Sequence, residues 1–139
     1  AAAILYVESE FHPNTSPSSA GAIGPFQVMP ATADQMGLPR VHDKSDNFKA
    51  GLKYILYIEE QIARYCDFEE QSKEDSSVYR NLIAASYHAG PAYLSRKNEN
   101  GTACRLEAFP EVSQTEYLAR FNRALGYRFL PATLRYDPS

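Results

Sequence analysis

Cysteine is nearly absent: Cys66 and Cys104 are the only two in 139 residues. Neither belongs to a CxxC pair or stands beside clustered histidines, which excludes a zinc site. The two thiols can form a bridge in an oxidising compartment, closing a long loop worth about 3–4 kcal/mol, or they can be unrelated. Positive charge is not in excess either. Lys and Arg number 14 against 17 Asp and Glu, a net charge of −3, which argues against nucleic acid as a partner, since that needs a basic footprint. No apolar run approaches the length of a membrane span. No secretory leader is visible and the chain starts inside an apparent helix, so a mature or trimmed domain is expected. No segment sustains the apolar–polar alternation of a strand. No internal repeat, low-complexity tract or domain boundary interrupts the chain. The acidic stretch from Asp67 to Ser77 lacks the spacing of a calcium-binding loop and reads as solvated connection.

What is present is an ordinary soluble composition, 44% hydrophobic and 22% charged, in a chain long enough for one domain with a real core. The periodicity predicts an α-rich domain. After a first helix, a short one runs from Pro30 to Met36, closed by Gly37. A long one is capped by Asp46 or Asn47 and ends near Cys66, with Phe48, Leu52, Ile55, Ile58 or Glu59, and Ile62 as its inward stripe. Ser77 can cap a helix from Val78 to His88 that buries Leu82, Ala85 and Ala89. A short helix follows from Pro91 to Arg96. The last helix spans about Gln114 to Tyr127, with Tyr117, Phe121, Ala124 and Leu125 inward. The core thus covers about residues 4–128 of a single domain, 1–139, and residues 129–139, with Pro131 and Pro138, read as a tail.

One residue of the first helix is out of place. Ala1, Ile4, Leu5 and Glu8 follow the spacing that puts side chains on one helical face, so a carboxylate continues an apolar stripe. Glu10, two positions on, points roughly the other way. A carboxyl in apolar surroundings is raised in pKa, and a neutral carboxyl near pH 7 is the proton donor a general acid needs. The spacing alone leaves open that Glu8 sits at a helix end and reaches water. Phe11 and Pro13 end the helix, Asn14 to Ser19 is turn-rich, and Gly21 and Gly24 permit positive φ or close approach of the backbone to a ligand.

The run Glu8-Ser9-x-Phe11-x-Pro13, then Ser18-x-x-Gly21-Ala22-x-Gly24-x-x-Gln27-x-Met29-Pro30-x-Thr32-Ala33, resembles the signature of the family 1 (SLT-domain) lytic transglycosylases of bacterial cell walls. Asp46-Asn47-Phe48-x-Ala50-Gly51-x-x-Tyr54-Ile55 resembles the segment that packs a helix beneath that family's cleft. Ala84-Ala85-Ser86-Tyr87-His88-Ala89-Gly90 resembles its Ala-Tyr-Asn-Ala-Gly motif, and Pro110-Glu111, then Thr115-x-Tyr117, echoes its closing motif with a small insertion between them. The resemblance spans about Ile4 to Phe121. It implies a lysozyme-like helical domain, α+β at most, with a substrate cleft and room for one small hairpin near Ser18 to Met29. It implies Glu8 as the catalytic acid, with Ser18, Gln27 and Met29 lining the sugar cleft and Tyr117 as a cleft aromatic. It also implies that Tyr87 places its hydroxyl within hydrogen-bond reach of Glu8. Two departures stand out. His88 occupies the place of the usual Asn, where it either fills space or makes an altered ligand contact, and Pro25-Phe26 stands where Leu-Met is common.

The implied substrate is peptidoglycan, cut between N-acetylmuramic acid and N-acetylglucosamine, in the periplasm or cell envelope. The resemblance implies a monomer that needs no cofactor or metal. Glycosidases that end with water usually show two carboxyl groups flanking the bond, and only Glu8 stands in a motif here. A single acid suffices if the muramic acid 6-hydroxyl closes onto C1, giving a 1,6-anhydro sugar. Two alternatives stay open: a hydrolytic lysozyme on the same fold, or a catalytically silent wall-binding module.

Overall fold

The structure, a computed structural model, describes residues 1–12, 15–68 and 73–127. Pro13, as a helix stop, and the tail from residue 129 onward lie outside these. Five α-helices order the described chain: α1 (Ala2–Ser9), α2 (Pro30–Gln35), α3 (Lys44–Tyr65), α4 (Lys73–Ala89) and α5 (Leu118–Leu125). Single 3-10 turns at Pro91–Ser95 and Leu106–Ala108, and a π-helical turn at Ser113–Tyr117, join the later ones. The fold is α-rich, as a lysozyme-like domain should be.

α3 and α4 pack against each other, and α5 closes over α4 and α1. Between them lie Ile4, Ile55, Ile58, Ile62, Leu82, Leu94 and Phe121, all buried. The inward stripe of α3 differs from the one its periodicity suggests. Phe48 and Leu52 are 40% and 36% exposed, while Asn47, Ala50 and Gly51 are buried. The apolar arc of this helix is wider than the surface that covers it, so one flank stays in solvent. Likewise Leu125, expected inward, is 39% exposed.

Two helix starts also shift. Asp43, not Asp46 or Asn47, caps α3: its carboxylate accepts from the Asp46 amide at 2.9 Å. Asn47 is committed elsewhere, donating to the carbonyls of Ile23 and Val41 at 3.0 and 2.9 Å. α4 begins at Lys73, ahead of Ser77, so the second half of the acidic stretch is helical.

The small hairpin is present in minimal form. Ile23 and Val28 exchange both backbone hydrogen bonds, at 2.9 and 2.8 Å, around the turn Gly24–Gln27. Gly24 holds φ at +80°, and a Cβ there would overlap the Asn47 amide. Gly51 leaves the space into which the Phe26 ring sits. The glycines of both motifs thus let the hairpin lie directly on α3. Cys66 and Cys104 form a disulfide, their Cα atoms 5.8 Å apart, tying the end of α3 to the segment after the Pro91–Ser95 turn. The two thiols are therefore a bridge, 38 residues apart in sequence, worth about 4 kcal/mol by loop-closure entropy.

Candidate active site

Glu8 sits in the last turn of α1, and the chain reverses at once after it. Glu10 and Phe11 both take left-handed conformations, φ 52° and 66°, and the Glu10 amide closes the helix on the Tyr6 carbonyl. This cost in backbone strain fixes the carboxyl at an abrupt helix end. Burial raises the pKa of Glu8 and is the dominant influence. A hydrogen bond from Tyr117 and the charge of Arg120 act in the opposite direction. Among the described residues, no second carboxylate figures in the groups that shift it.

The hydrogen bond to Glu8 comes from Tyr117, whose hydroxyl donates to Oε1 at 2.8 Å. This corrects the role given to Tyr87. The Tyr87 hydroxyl donates to the Phe26 carbonyl at 2.6 Å, pinning the hairpin to α4. Its single proton is thereby used, although the phenol remains near enough to Glu8 for that charge to raise its pKa, after burial. Tyr117 is 1% exposed, so it is a buried partner of the carboxyl and not an open cleft wall.

The π-helical turn explains the change of partner. Its extra residue sends the Leu118 amide to the Ser113 carbonyl, one residue beyond the α pattern. Ser113 and Tyr117 are both turned into the protein. Turns of this kind occur often at functional sites. His88 lies against both residues: its Nδ1 is 2.7 Å from Ser113 Oγ, and its ring stacks on Tyr117 with centroids 4.4 Å apart. Burial lowers the His88 pKa, and Arg120 lowers it further, so the imidazole is neutral near pH 7.

Gln27, Met29, Tyr87 and His88 line one open cavity of about 200 Å³, together with Thr32 and Tyr54. Four expected cleft residues are thus brought together. Gln27 is held in a left-handed conformation, φ 51°, with its amide donating to the Gly24 carbonyl at 2.9 Å. Ser18 is not on this cavity; it is exposed, and its hydroxyl accepts from the Ala22 amide at 2.9 Å, closing the turn before the hairpin. Glu8 does not line the cavity itself. It adjoins it through Tyr87 and through the Tyr117 ring on which His88 stacks. Tyr54, whose ring packs on Tyr87 at 5.4 Å, is a wall residue that the sequence presented only within the segment resembling the family's helix beneath the cleft.

The model of the transglycosylase SLT domain family matches residues 1–106. The chain belongs to that family. No solved structure matches it. In this SLT domain the matched segment carries Glu8, the hairpin and the α4 motif, whereas Ser113, Tyr117 and Arg120 lie beyond the match. Peptidoglycan is the substrate class the family implies. Among the described residues, no cluster of side chains could hold a metal ion, and no helix is long and apolar enough to cross a membrane.

Proposed function

We propose that this domain is a lytic transglycosylase that cleaves the β-1,4 bond between N-acetylmuramic acid and N-acetylglucosamine, with Glu8 as its single acid and base. The observation that carries the reading is the Glu8 carboxyl, raised in pKa by burial and held by Tyr117 beside the cavity of Gln27, Met29 and His88. Protonated Glu8 gives its proton to the bridging oxygen as the bond from that oxygen to the muramic C1 breaks. The resulting carboxylate accepts the hydrogen bond from Tyr117, which is stronger to a charged acceptor than to a neutral one. It then takes the proton of the muramic 6-hydroxyl as that oxygen bonds to C1. Glu8 returns to its starting state, and the products are an N-acetylglucosamine 4-hydroxyl and a 1,6-anhydro muramic end.

The attacking hydroxyl belongs to the same sugar, so its effective concentration is high and no second protein carboxylate is needed to place a water. Glu8 alone meets the requirement. Neutral His88 can present its Nε2 to the sugar while Nδ1 stays on Ser113, replacing the amide that the family uses. The domain works as a monomer outside the cytoplasm, where its disulfide is stable and its substrate lies. Mass spectrometry of fragments released from purified wall tests this reading. Muramic ends lighter by one water support it, and reducing ends would show a hydrolase.

A further inference from the structure

Ser113 is buried in the π-helical turn, and the one side-chain hydrogen bond it makes among the described residues joins its Oγ to His88 Nδ1 at 2.7 Å. A buried hydroxyl proton needs an acceptor, and Nδ1 is the acceptor in reach. The reverse direction, with an Nδ1–H donating to Oγ, would leave that proton unpaired in the interior. Ser113 therefore donates, and Nδ1 carries a lone pair. A neutral imidazole holds a single proton, so it sits on Nε2. His88 is exposed where it lines the cavity of Gln27 and Met29. Its Nε2 has no hydrogen-bond partner among the described residues. Ser113 on one edge and the Tyr117 ring on one face hold the imidazole, so the outward N–H keeps one direction.

We propose that Ser113 is a positioning residue that fixes the proton of His88 on Nε2, making that nitrogen a permanent donor to an acetamido carbonyl of the glycan. This rests on the reading that the domain acts on peptidoglycan. Sugar hydroxyls both donate and accept, so they suit either tautomer. A carbonyl only accepts, and a de-N-acetylated sugar has no oxygen there to meet the donor. A site built to hydrogen-bond one group rejects the analogue that lacks it, because its own polar atom is left unpaired. The Asn usual at this position carries an amide that can turn either end outward. A stacked imidazole bound to Ser113 presents one end. The pair would thus make the domain sensitive to loss of acetyl groups from its substrate.

Side-chain nitrogen-15 spectra of wild type and Ser113→Ala locate the proton, with His88→Phe identifying the His88 signals among the three histidines. Wild type should show Nε2 protonated and Nδ1 bare, and Ser113→Ala should move the Nδ1 resonance toward that of a nitrogen with no donor. A protonated Nδ1 in wild type, or an Nδ1 resonance that stays in place, would overturn the proposal. Should Ser113→Ala not fold, the wild-type spectrum decides the tautomer alone. The carbonyl contact is read from kcat/KM on acetylated glycan strands against the same strands partly de-N-acetylated. In His88→Phe the preference for acetylated strands should fall about fivefold, as one neutral hydrogen bond contributes. A His88 that only packs would change both rates alike, and that unchanged ratio would overturn the contact. If wild type cleaves neither strand, the assignment of Glu8 fails instead, and titration with the trimer of N-acetylglucosamine decides. Movement of the Nε2 proton signal supports the contact, and none overturns it.

Discussion

Tyr117 reaches Glu8 across 109 residues of sequence to donate a 2.8 Å hydrogen bond. In Tyr117→Phe the carboxylate formed after proton transfer loses that donor. A hydrogen bond to a charged group is worth about 1.5–3 kcal/mol, so kcat should fall about tenfold to a hundredfold. The same bond lowers the Glu8 pKa. Its removal should therefore move the alkaline limb of the pH–rate profile upward. Wild-type kinetics in Tyr117→Phe would remove Tyr117 from the mechanism.

Tyr87→Phe should act differently. It removes the donor that meets the Phe26 carbonyl at 2.6 Å, leaving a buried acceptor short of a partner at a cost of about 1–3 kcal/mol. Chemical denaturation should show that loss of stability. The fall in kcat should be smaller than in Tyr117→Phe, and KM should rise as the hairpin bearing Gln27 loosens.

Gly51→Ala probes the seat of that hairpin. The added methyl would overlap the Phe26 ring, and overpacking of this kind costs about 1–3 kcal/mol. A lower melting temperature with a raised KM is expected. An alanine variant as stable as wild type, with unchanged KM, would show that the ring has room to move.

Reduction of the Cys66–Cys104 bridge, or its replacement by two serines, should cost about 4 kcal/mol in the chain-entropy model. Neither cysteine lines the cavity of Gln27, Met29 and His88 or bonds to Glu8. Activity per folded molecule should survive while the unfolding midpoint drops. The measurement is a urea titration of both forms, followed by activity at low denaturant.

The helices and the motif glycines were legible in the sequence because their causes are local. Gly37 at the end of α2, at φ +77°, and the Gly24 turn are fixed by backbone sterics that residue type announces. The partner of Glu8 was not legible. A 3.6-residue period assumes an unbroken α-helix, and the π-helical turn at Ser113–Tyr117 breaks that assumption where Tyr117 is aimed. Periodicity also names a face without saying how much of it is covered, which is why Phe48 and Leu52 of α3 read as core and are only partly covered. The bridge depends on a 5.8 Å separation, a tertiary fact that two isolated cysteines cannot reveal. Ser18, picked out by motif position, holds a turn, because neighbouring backbone amides compete for a serine hydroxyl.

Glu8→Gln carries the heaviest weight. Glutamine keeps the size and can still accept from Tyr117, but it cannot deliver a proton. Burial raises the Glu8 pKa, so the stability this group contributes is present below its unfolded value and lost as pH rises through the folded one. At about pH 8, where an ordinary carboxyl is ionised, the glutamine variant should be at least as stable as wild type. The decisive measurement is release of soluble fragments from murein sacculi by this folded variant. The account predicts none above background, beside rapid release by wild type; turnover by a stable Glu8→Gln protein would contradict it.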